Sequence, residues 1–362
     1  MPVYADPAGG VRVHADALRD WTSALLARIG TPDDIGADVA EVLVAADVRG
    51  IASHGTARLP QYVKLVEAGL VDPGARPALE RDATALALFD ARNGWGHHAA
   101  RVAMDEAIER AARAGLAAST VRNSNHYGIA GWYAMRAAER GMIGISLTNS
   151  SPLVAPTRAR EPLIGTNPIA VAAPAGRFGM LVLDMATSTV PRGRIEVAER
   201  RGEPLLPQWA IGPDGSPALT AAEALLGALH PLGGPEETGG YKGYGLALAV
   251  DLLTGVLAGA RYGPNIVPLF STSGRSDLGH FLMAIDPATV TQPAAFVQRL
   301  EHYCEQLVSA PTVPGAPGPV LIPGQPEAAR AAQQARDGIV IDREHHAALA
   351  SLAERLGLAP PG

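Results

Sequence analysis

The chain has 362 residues, of which 47% are hydrophobic and 18% are charged. This length and composition indicate a globular protein with two packed parts, and they exclude an intrinsically disordered chain. The net charge of −6 argues against nucleic-acid binding, which needs a basic face, although a local arginine can still bind an anionic substrate.

Residues 12–70 are predicted to be helical. Apolar residues recur at helical spacing from Val13 onward, and Thr31-Pro32-Asp33-Asp34 is typical of a helix start. That helix is expected to end near Gly50, and another is expected over 56–68.

From about residue 84 the pattern changes to short apolar runs that alternate with helical segments. Strands are predicted over 85–91, 116–122, 143–148, 169–173, 180–184 and 280–285. Helices are predicted over 99–114, 129–140, 243–260, 292–308, 327–336 and 343–356. Residues 202–240, rich in glycine and proline, are expected to form a surface loop with a short helix. The order predicts an α+β fold with a helical part over 1–83, a mixed-sheet part over 84–286 and a helical return over 287–362 that packs on the first part.

One long apolar run, residues 243–260, contains Asp251 as its only charge. The run is marginal in length for a bilayer, so a helix buried in the core or in a subunit interface is expected. The single cysteine, Cys304, excludes an internal disulfide, and residues 1–10 lack the pattern of a secretory signal. These features favour a cytoplasmic protein without contact to a membrane.

Sequence motifs for common nucleotide and metal sites are absent. The nearest approach to GxGxxG is Gly94-Trp95-Gly96, but no acidic residue follows the next strand, where Arg122 and Asn123 stand. GxxxxGK[ST], HExxH, GxSxG and CxxC do not occur. A conventional Rossmann fold is therefore not predicted, and neither is a metal site.

The segment Ser53-His54-Gly55-Thr56-Ala57-Arg58 combines an imidazole with a guanidinium. In a helix, His54 and Arg58 would lie on one face, four residues apart. Arginine can hold the carboxylate of a 2-oxo acid while histidine exchanges a proton at the adjacent oxygen. The alternative is a capping serine, a packed histidine and a surface arginine.

Polar residues also follow several predicted strands. They are the segments 123–128, 148–152 and 165–168, Asp184, and Lys242 in a glycine-rich stretch before the long apolar run. Such groups can bind phosphate, amide or ribose, but they are equally common as turns and helix caps.

In this order the motifs resemble the malate/L-lactate dehydrogenase family of the non-Rossmann type. That family also contains ureidoglycolate and sulfolactate dehydrogenases and piperideine-2-carboxylate reductase. The resemblance is carried by SHGTARLPQYV, NSNHYGIAGWYA, TNSSPLVAPT, EPLIGTNPIAVAAP, LDMATSTVPRGRIEVAERRGEPL and GGYKGYGLAL. It implies a helical domain, a mixed and largely antiparallel sheet that binds NAD or NADP, and a homodimer with active sites near the subunit interface.

The resemblance also implies roles for individual residues. His54, with its neighbour Ser53, is the expected acid/base and Arg58 the carboxylate anchor. His126 competes with His54 for the acid/base role and is otherwise a nicotinamide contact. Further substrate contacts are expected at Thr166, Arg192 and Gly193. Further cofactor contacts are expected at Tyr127, Gly128, Asp184, Met185, Ala186 and Lys242.

One departure separates two branches of that family. Cyclic-imine reductases complete their Ser-His pair with an aspartate shortly after LDMATS, where Arg194 stands here. The sequence therefore predicts hydride transfer between NAD or NADP and a small 2-hydroxy acid resembling malate or lactate. The alternative is a reductase of cyclic imines. The sequence leaves open the choice between NAD and NADP.

Overall fold

A sheet of seven strands forms the centre of the structure, a computed structural model that describes residues 9–362. Its strands are β2 (Ala78–Asp82), β3 (Leu86–Asp90), β4 (Leu116–Ser124), β5 (Ile143–Thr148), β6 (Ile169–Pro174), β7 (Met180–Met185) and β10 (Leu278–Ile285). Smaller pairs are formed by β1 (Val11–Val13) with β11 (Ile339–Ile341) and by β8 (Ala210–Ile211) with β9 (Ala228–Leu229). The order is β2-β3-β4-β10-β5-β6-β7, and β3–β4 pair in parallel while the other neighbours are antiparallel. The predicted mixed, mainly antiparallel sheet is confirmed.

The helices follow the predicted order except for α6, which the sequence analysis did not predict. They are α1 (Ala15–Arg28), α2 (Asp33–Val48), α3 (Leu59–Glu67), α4 (Gly96–Ala114), α5 (Ala130–Glu139), α6 (Arg192–Arg201), α7 (Ala221–Leu226), α8 (Gly240–Asp251), α9 (Pro293–Val308), α10 (Gln325–Asp337) and α11 (Arg343–Arg355). Helices α4 and α5 pack on the sheet through an alanine-rich core. Small side chains let them lie close, and a Cβ on Gly144 of β5 would stand 2.2 Å from the Ala134 carbonyl oxygen of α5.

The two ends of the chain meet beside the helices α1 to α3. Strand β1 pairs antiparallel with β11, helix α11 packs on α3, and α10 packs on α2. The expectation that Val13 begins a helix is wrong, because Val11 and Val13 pair with Ile341 and Ile339. That partner lies so far along the chain that local spacing cannot reveal it. Helix α9 instead packs beside residues 176–178, near the sheet. The three-part division of the chain stays a prediction.

The edge strand β2 was missed by the sequence prediction, which placed residues 1–83 in a helical part. Its residues are mostly exposed on both faces, so it lacks the alternation of apolar and polar residues that marks a half-buried strand. It pairs with β3 and extends the sheet.

The long apolar run forms α8 and then a π-helical turn, Leu252–Val256. Leu248, Leu252 and Val256 are 52%, 55% and 53% exposed, so the expectation of burial in the core of the protomer is wrong for this face. Asp251 is buried, and this burial raises the pKa of its carboxyl above the usual value. No helix within residues 9–362 is long and apolar enough to cross a membrane.

Candidate active site

Two short 3-10 turns, Ala52–His54 and Thr56–Arg58, carry the first group of predicted site residues. The expectation that His54 and Arg58 share one face of a regular helix is wrong, because Gly55 between the turns is extended (φ −94°, ψ −151°). The backbone N–H and the hydroxyl of Thr56 both donate to Oδ2 of the buried Asp47, at 2.9 and 2.6 Å. A Cβ on Gly55 would lie 1.9 Å from Asp47 Oδ1. Asp47 thus holds the turns in a shape that only glycine permits at position 55.

The broken turn still brings the imidazole and the guanidinium together. Arg58 donates through Nε to the Ser53 carbonyl oxygen at 2.5 Å, which leaves its two terminal nitrogens for a ligand. The Ser53 hydroxyl lies 2.9 Å from His54 Nδ1. Burial and the neighbouring Arg58 cation lower the pKa of His54 to about 4. His54 is therefore neutral at pH 7 and able to accept a proton.

The second candidate histidine lies beside the first. His126, in the segment between β4 and α5, has its ring centroid 5.6 Å from that of His54. The Tyr62 hydroxyl lies 2.6 Å from His126 Nδ1, and the backbone N–H of Gly128 donates to the same nitrogen at 3.3 Å. Burial, chiefly, together with the nearby His54 lowers the pKa of His126 well below its usual value. The structure thus joins two segments that are far apart in the sequence.

Two aromatic residues at this place were missed by the sequence analysis. Tyr62 lies on α3, about one turn after Arg58, where its spacing also fits an ordinary core position. The Phe270 ring centroid is 5.2 Å from the guanidinium carbon of Arg58 and 5.8 Å from the His126 ring. Phe270 has a left-handed φ of 65°, which is rare for a bulky residue and frequent at functional sites. It belongs to the loop before β10, where the sequence has no periodic pattern.

Tyr127, a predicted cofactor contact, lies in the core. Its ring stacks on His280 and Tyr133, with centroids 4.6 and 4.7 Å away, and its hydroxyl lies 3.2 Å from Ser146 Oγ. Its neighbour Gly128 has φ +79°, and a Cβ there would lie 2.7 Å from Val42 Cγ1. The buried Tyr127 ring thus packs the segment that carries His126 against the core. A contact between Tyr127 and a cofactor stays a prediction.

A cleft of about 380 Å³ opens beside these residues. Asp184 at the end of β7 faces it and accepts a hydrogen bond of 2.8 Å from the Gly131 N–H of α5. Asp184 is exposed at the cleft, and partial loss of water around its carboxyl raises the pKa to about 6. Ile51 and Ile129 also line the cleft, so it adjoins both the turn that carries His54 and the segment that carries His126. Met185, the last residue of β7, and Ala186 directly follow Asp184 in the sequence.

The opposite wall of the cleft comes from residues 321–327, which the sequence analysis did not single out. Gly324 there has φ +87°, and a Cβ on it would lie 2.7 Å from Val182 Cβ. The Pro323 carbonyl oxygen accepts from the Val182 N–H at 2.9 Å, which attaches this wall to β7. A glycine between two prolines, Pro323 and Pro326, is the only sequence feature that marks the segment.

Other predicted contacts lie in separate groups. The Thr166 hydroxyl is 3.1 Å from Ser150 Oγ, so the polar segments 148–152 and 165–168 lie side by side. Arg192 pairs with Glu196 on α6, where Gly193 also lies. Lys242 lies over the Tyr241 ring in the first turn of α8, so its predicted place in a turn before the helix is wrong. Within residues 9–362 no three His, Cys, Asp or Glu side chains are grouped to hold a metal ion.

Comparison with known proteins agrees with this architecture. Residues 13–350 match the family model described as malate/L-lactate dehydrogenase. The chain is 43% identical over 299 residues to a malate dehydrogenase from Pyrococcus abyssi, covering 82% of each protein. It is 32% identical over 333 residues to a ureidoglycolate dehydrogenase (NAD(+)) from Escherichia coli O157:H7, covering 91% of this chain and 93% of that one. The structure of malate dehydrogenase from Pyrococcus horikoshii OT3 superimposes with a TM-score of 0.90 at 37% identity, covering 98% of both chains. As its motifs predicted, the chain belongs to the malate/L-lactate dehydrogenase family.

Proposed function

We propose that this protein is an NAD(P)-dependent dehydrogenase that interconverts a small 2-hydroxy acid and its 2-oxo acid, with malate or lactate as the preferred type of substrate. The observation that carries the proposal is the juxtaposition of His54, His126 and Arg58 at one place. The ring centroids of the two histidines are 5.6 Å apart, and Arg58 lies close enough to lower the pKa of both.

Arg58 is the group that fits the substrate carboxylate. Its Nε is occupied by the Ser53 carbonyl oxygen, and its plane is held near the Phe270 ring. A guanidinium fixed in this way presents its terminal nitrogens in a defined direction, which suits the bidentate binding of a carboxylate. The hydroxyl-bearing carbon of a 2-hydroxy acid would then lie next to the histidines.

His54 is the group that fits proton transfer. It is neutral at pH 7 because its pKa is lowered to about 4, so it can accept the proton of the substrate hydroxyl during oxidation. The Ser53 hydroxyl, 2.9 Å from Nδ1, holds the ring orientation. In the reverse direction the same residue returns the proton to the oxygen of the 2-oxo acid.

The cleft beside Asp184 fits part of a dinucleotide. Gly131 and Gly324 carry no side chain at two points of its lining, and the Asp184 carboxylate is an acceptor suited to ribose hydroxyls. A bound nicotinamide would supply the hydride acceptor for oxidation of the substrate carbon. On this proposal a mixed, mainly antiparallel sheet and not a Rossmann unit holds the cofactor. The relative from Escherichia coli is named for NAD(+), and we propose NAD or NADP for this chain.

We also propose a homodimer formed through α8 and the turn that follows it. Leu248, Leu252 and Val256 form an apolar stripe at a spacing of four residues, each about half exposed in the protomer. Because Lys242 lies on the same helix, this dimer would bring the predicted phosphate contact to the interface. Leu252→Glu should convert the dimer to a monomer in light scattering, whereas an unchanged mass would exclude this face. A cytoplasmic location stays a prediction.

The test of the proposed function follows nicotinamide absorbance with purified protein, using NADH and NADPH separately. The substrates are oxaloacetate, pyruvate, a sulfonated 2-oxo acid and a cyclic imine carboxylate. Turnover of the oxo acids is expected, because α6 carries Arg194 at the position where the imine reductases carry an aspartate. The Arg194 guanidinium lies over the Trp209 ring. Turnover of the imine alone would assign the protein to the other branch.

A further inference from the structure

We propose that Tyr62 is a positioning residue that fixes His126 as a neutral imidazole with its proton on Nε2, so that His126 donates a hydrogen bond to the substrate oxygen and leaves acid/base catalysis to His54. This inference rests on the proposed function for the identity of the substrate oxygen. The tautomer itself follows from the contacts of His126.

The contacts to His126 Nδ1 determine which ring nitrogen carries the proton. The Gly128 backbone N–H points at Nδ1 from 3.3 Å, and a backbone N–H can only donate. Nδ1 must therefore be the acceptor, and the Tyr62 hydroxyl, 2.6 Å away, must donate to it as well. A neutral imidazole with an unprotonated Nδ1 carries its proton on Nε2.

The surroundings of His126 keep it neutral. His54 and Arg58 face it from the catalytic turn, Tyr62 from α3, His97 from α4, and His280 from β10. None of these groups is an anion at pH 7, since burial raises the pKa of the Tyr62 hydroxyl far above its usual value. A second positive charge beside Arg58 is thus disfavoured. Tyr62 keeps its proton and remains a hydrogen-bond donor.

This arrangement is the opposite of that expected for a histidine base. A base accepts a proton on its free nitrogen while an acceptor, such as a carboxylate, holds the N–H on the other side of the ring. At His126 two donors occupy Nδ1, so Nε2 has no lone pair to offer. His126 can polarise a carbonyl oxygen or stabilise a developing alkoxide, as neutral hydrogen-bond donors do in other enzymes.

The tautomer is measurable without turnover, which separates this proposal from the proposed function. The whole protein would be labelled with ¹⁵N-histidine, and the His126 resonances assigned as those lost in His126→Gln. Long-range proton–nitrogen spectra at pH 7 should show a protonated Nε2 and an unprotonated Nδ1. A protonated Nδ1 would overturn the proposal, whether or not the protein oxidises any hydroxy acid.

The role of Tyr62 is tested by Tyr62→Phe, which removes one donor from Nδ1. Hydrogen bonding to the neutral form holds the pKa down, so the variant should bind a proton at His126 about tenfold more tightly. Its kcat on the accepted oxo acid should fall by about tenfold. The matched control is Tyr133→Phe, which loses a buried 2.6 Å hydrogen bond to the Tyr127 carbonyl oxygen without contacting His126.

The control should leave the His126 titration unchanged. Equal titrations of His126 in wild type and Tyr62→Phe would show that Tyr62 has a structural role only. If Tyr62→Phe fails to fold, the wild-type spectrum alone decides the tautomer.

Discussion

Replacing Arg58 by lysine separates the charge of this residue from its shape. Arg58 offers two terminal nitrogens to a ligand, because Nε is used by the Ser53 carbonyl oxygen and the plane is held beside Phe270. Lysine keeps the positive charge but presents a single ammonium without a fork. A hydrogen bond to a charged group contributes about 1.5–3 kcal/mol, so the loss of one such bond predicts a fall in kcat/KM of roughly tenfold to hundredfold.

The assay is steady-state oxidation of the preferred hydroxy acid, with the cofactor at saturation. The loss should fall on kcat/KM for the acid, while the KM for the cofactor stays within about twofold because Arg58 does not line the Asp184 cleft. Arg76→Lys is the matched control, since Arg76 forms a two-pronged pair with Asp34 at 2.6 and 2.8 Å on the surface. An equal effect of the two substitutions would refute Arg58 as the carboxylate anchor.

Three further substitutions test other parts of the site. In wild type the KM for the cofactor should rise as the pH falls through about 6, because the ionised Asp184 present above that pH accepts hydrogen bonds from ribose hydroxyls more strongly than the protonated form does. Asp184→Asn should remove this pH dependence, and a wild-type KM that is flat from pH 5 to 8 would contradict the assignment. Phe270→Ala should favour 2-oxo acids with long side chains over pyruvate, measured as the ratio of their kcat/KM values, because the Phe270 ring lies against Arg58. An unchanged ratio would place Phe270 outside the substrate pocket. Gly55→Ala should lower the free energy of unfolding by about 1–3 kcal/mol, because the added Cβ would meet Asp47. The control in the same thermal melts is Gly318→Ala, since the space around Gly318 is open. Equal melting temperatures of the two variants would argue against a tight turn at Gly55.

Local sequence patterns predicted the order of helices and strands in the sheet region. In strands such as β5 and helices such as α9, the apolar residues recur with the period of the element, because they lie on the face that packs against the rest of the protein. The patterns failed for strands that pair with a distant part of the chain or that have no buried face. Strand β1 depends on β11 at the other end of the chain, and β2 is an edge strand without a buried face.

The candidate site shows the same division. Ser53, His54 and Arg58 were found in the sequence, because an imidazole next to a guanidinium is a recognisable combination for carboxylate substrates. The role of His126 was implied by the resemblance to a family, and the structure shows that its ring lies beside that of His54. Phe270 was not predicted, because its place at the site depends on the backbone conformation of the loop before β10. A loop has no periodic pattern of apolar residues from which that conformation could be predicted.

The central claim is direct transfer of hydrogen from C2 of a hydroxy acid to the cofactor. The measurement is oxidation of L-malate and L-lactate deuterated at C2, with NAD or NADP, followed by mass spectrometry of the reduced cofactor. We expect deuterium in the reduced nicotinamide with whichever acid is turned over, and loss of that transfer in His54→Ala. Oxidation with deuterium released to water would contradict it.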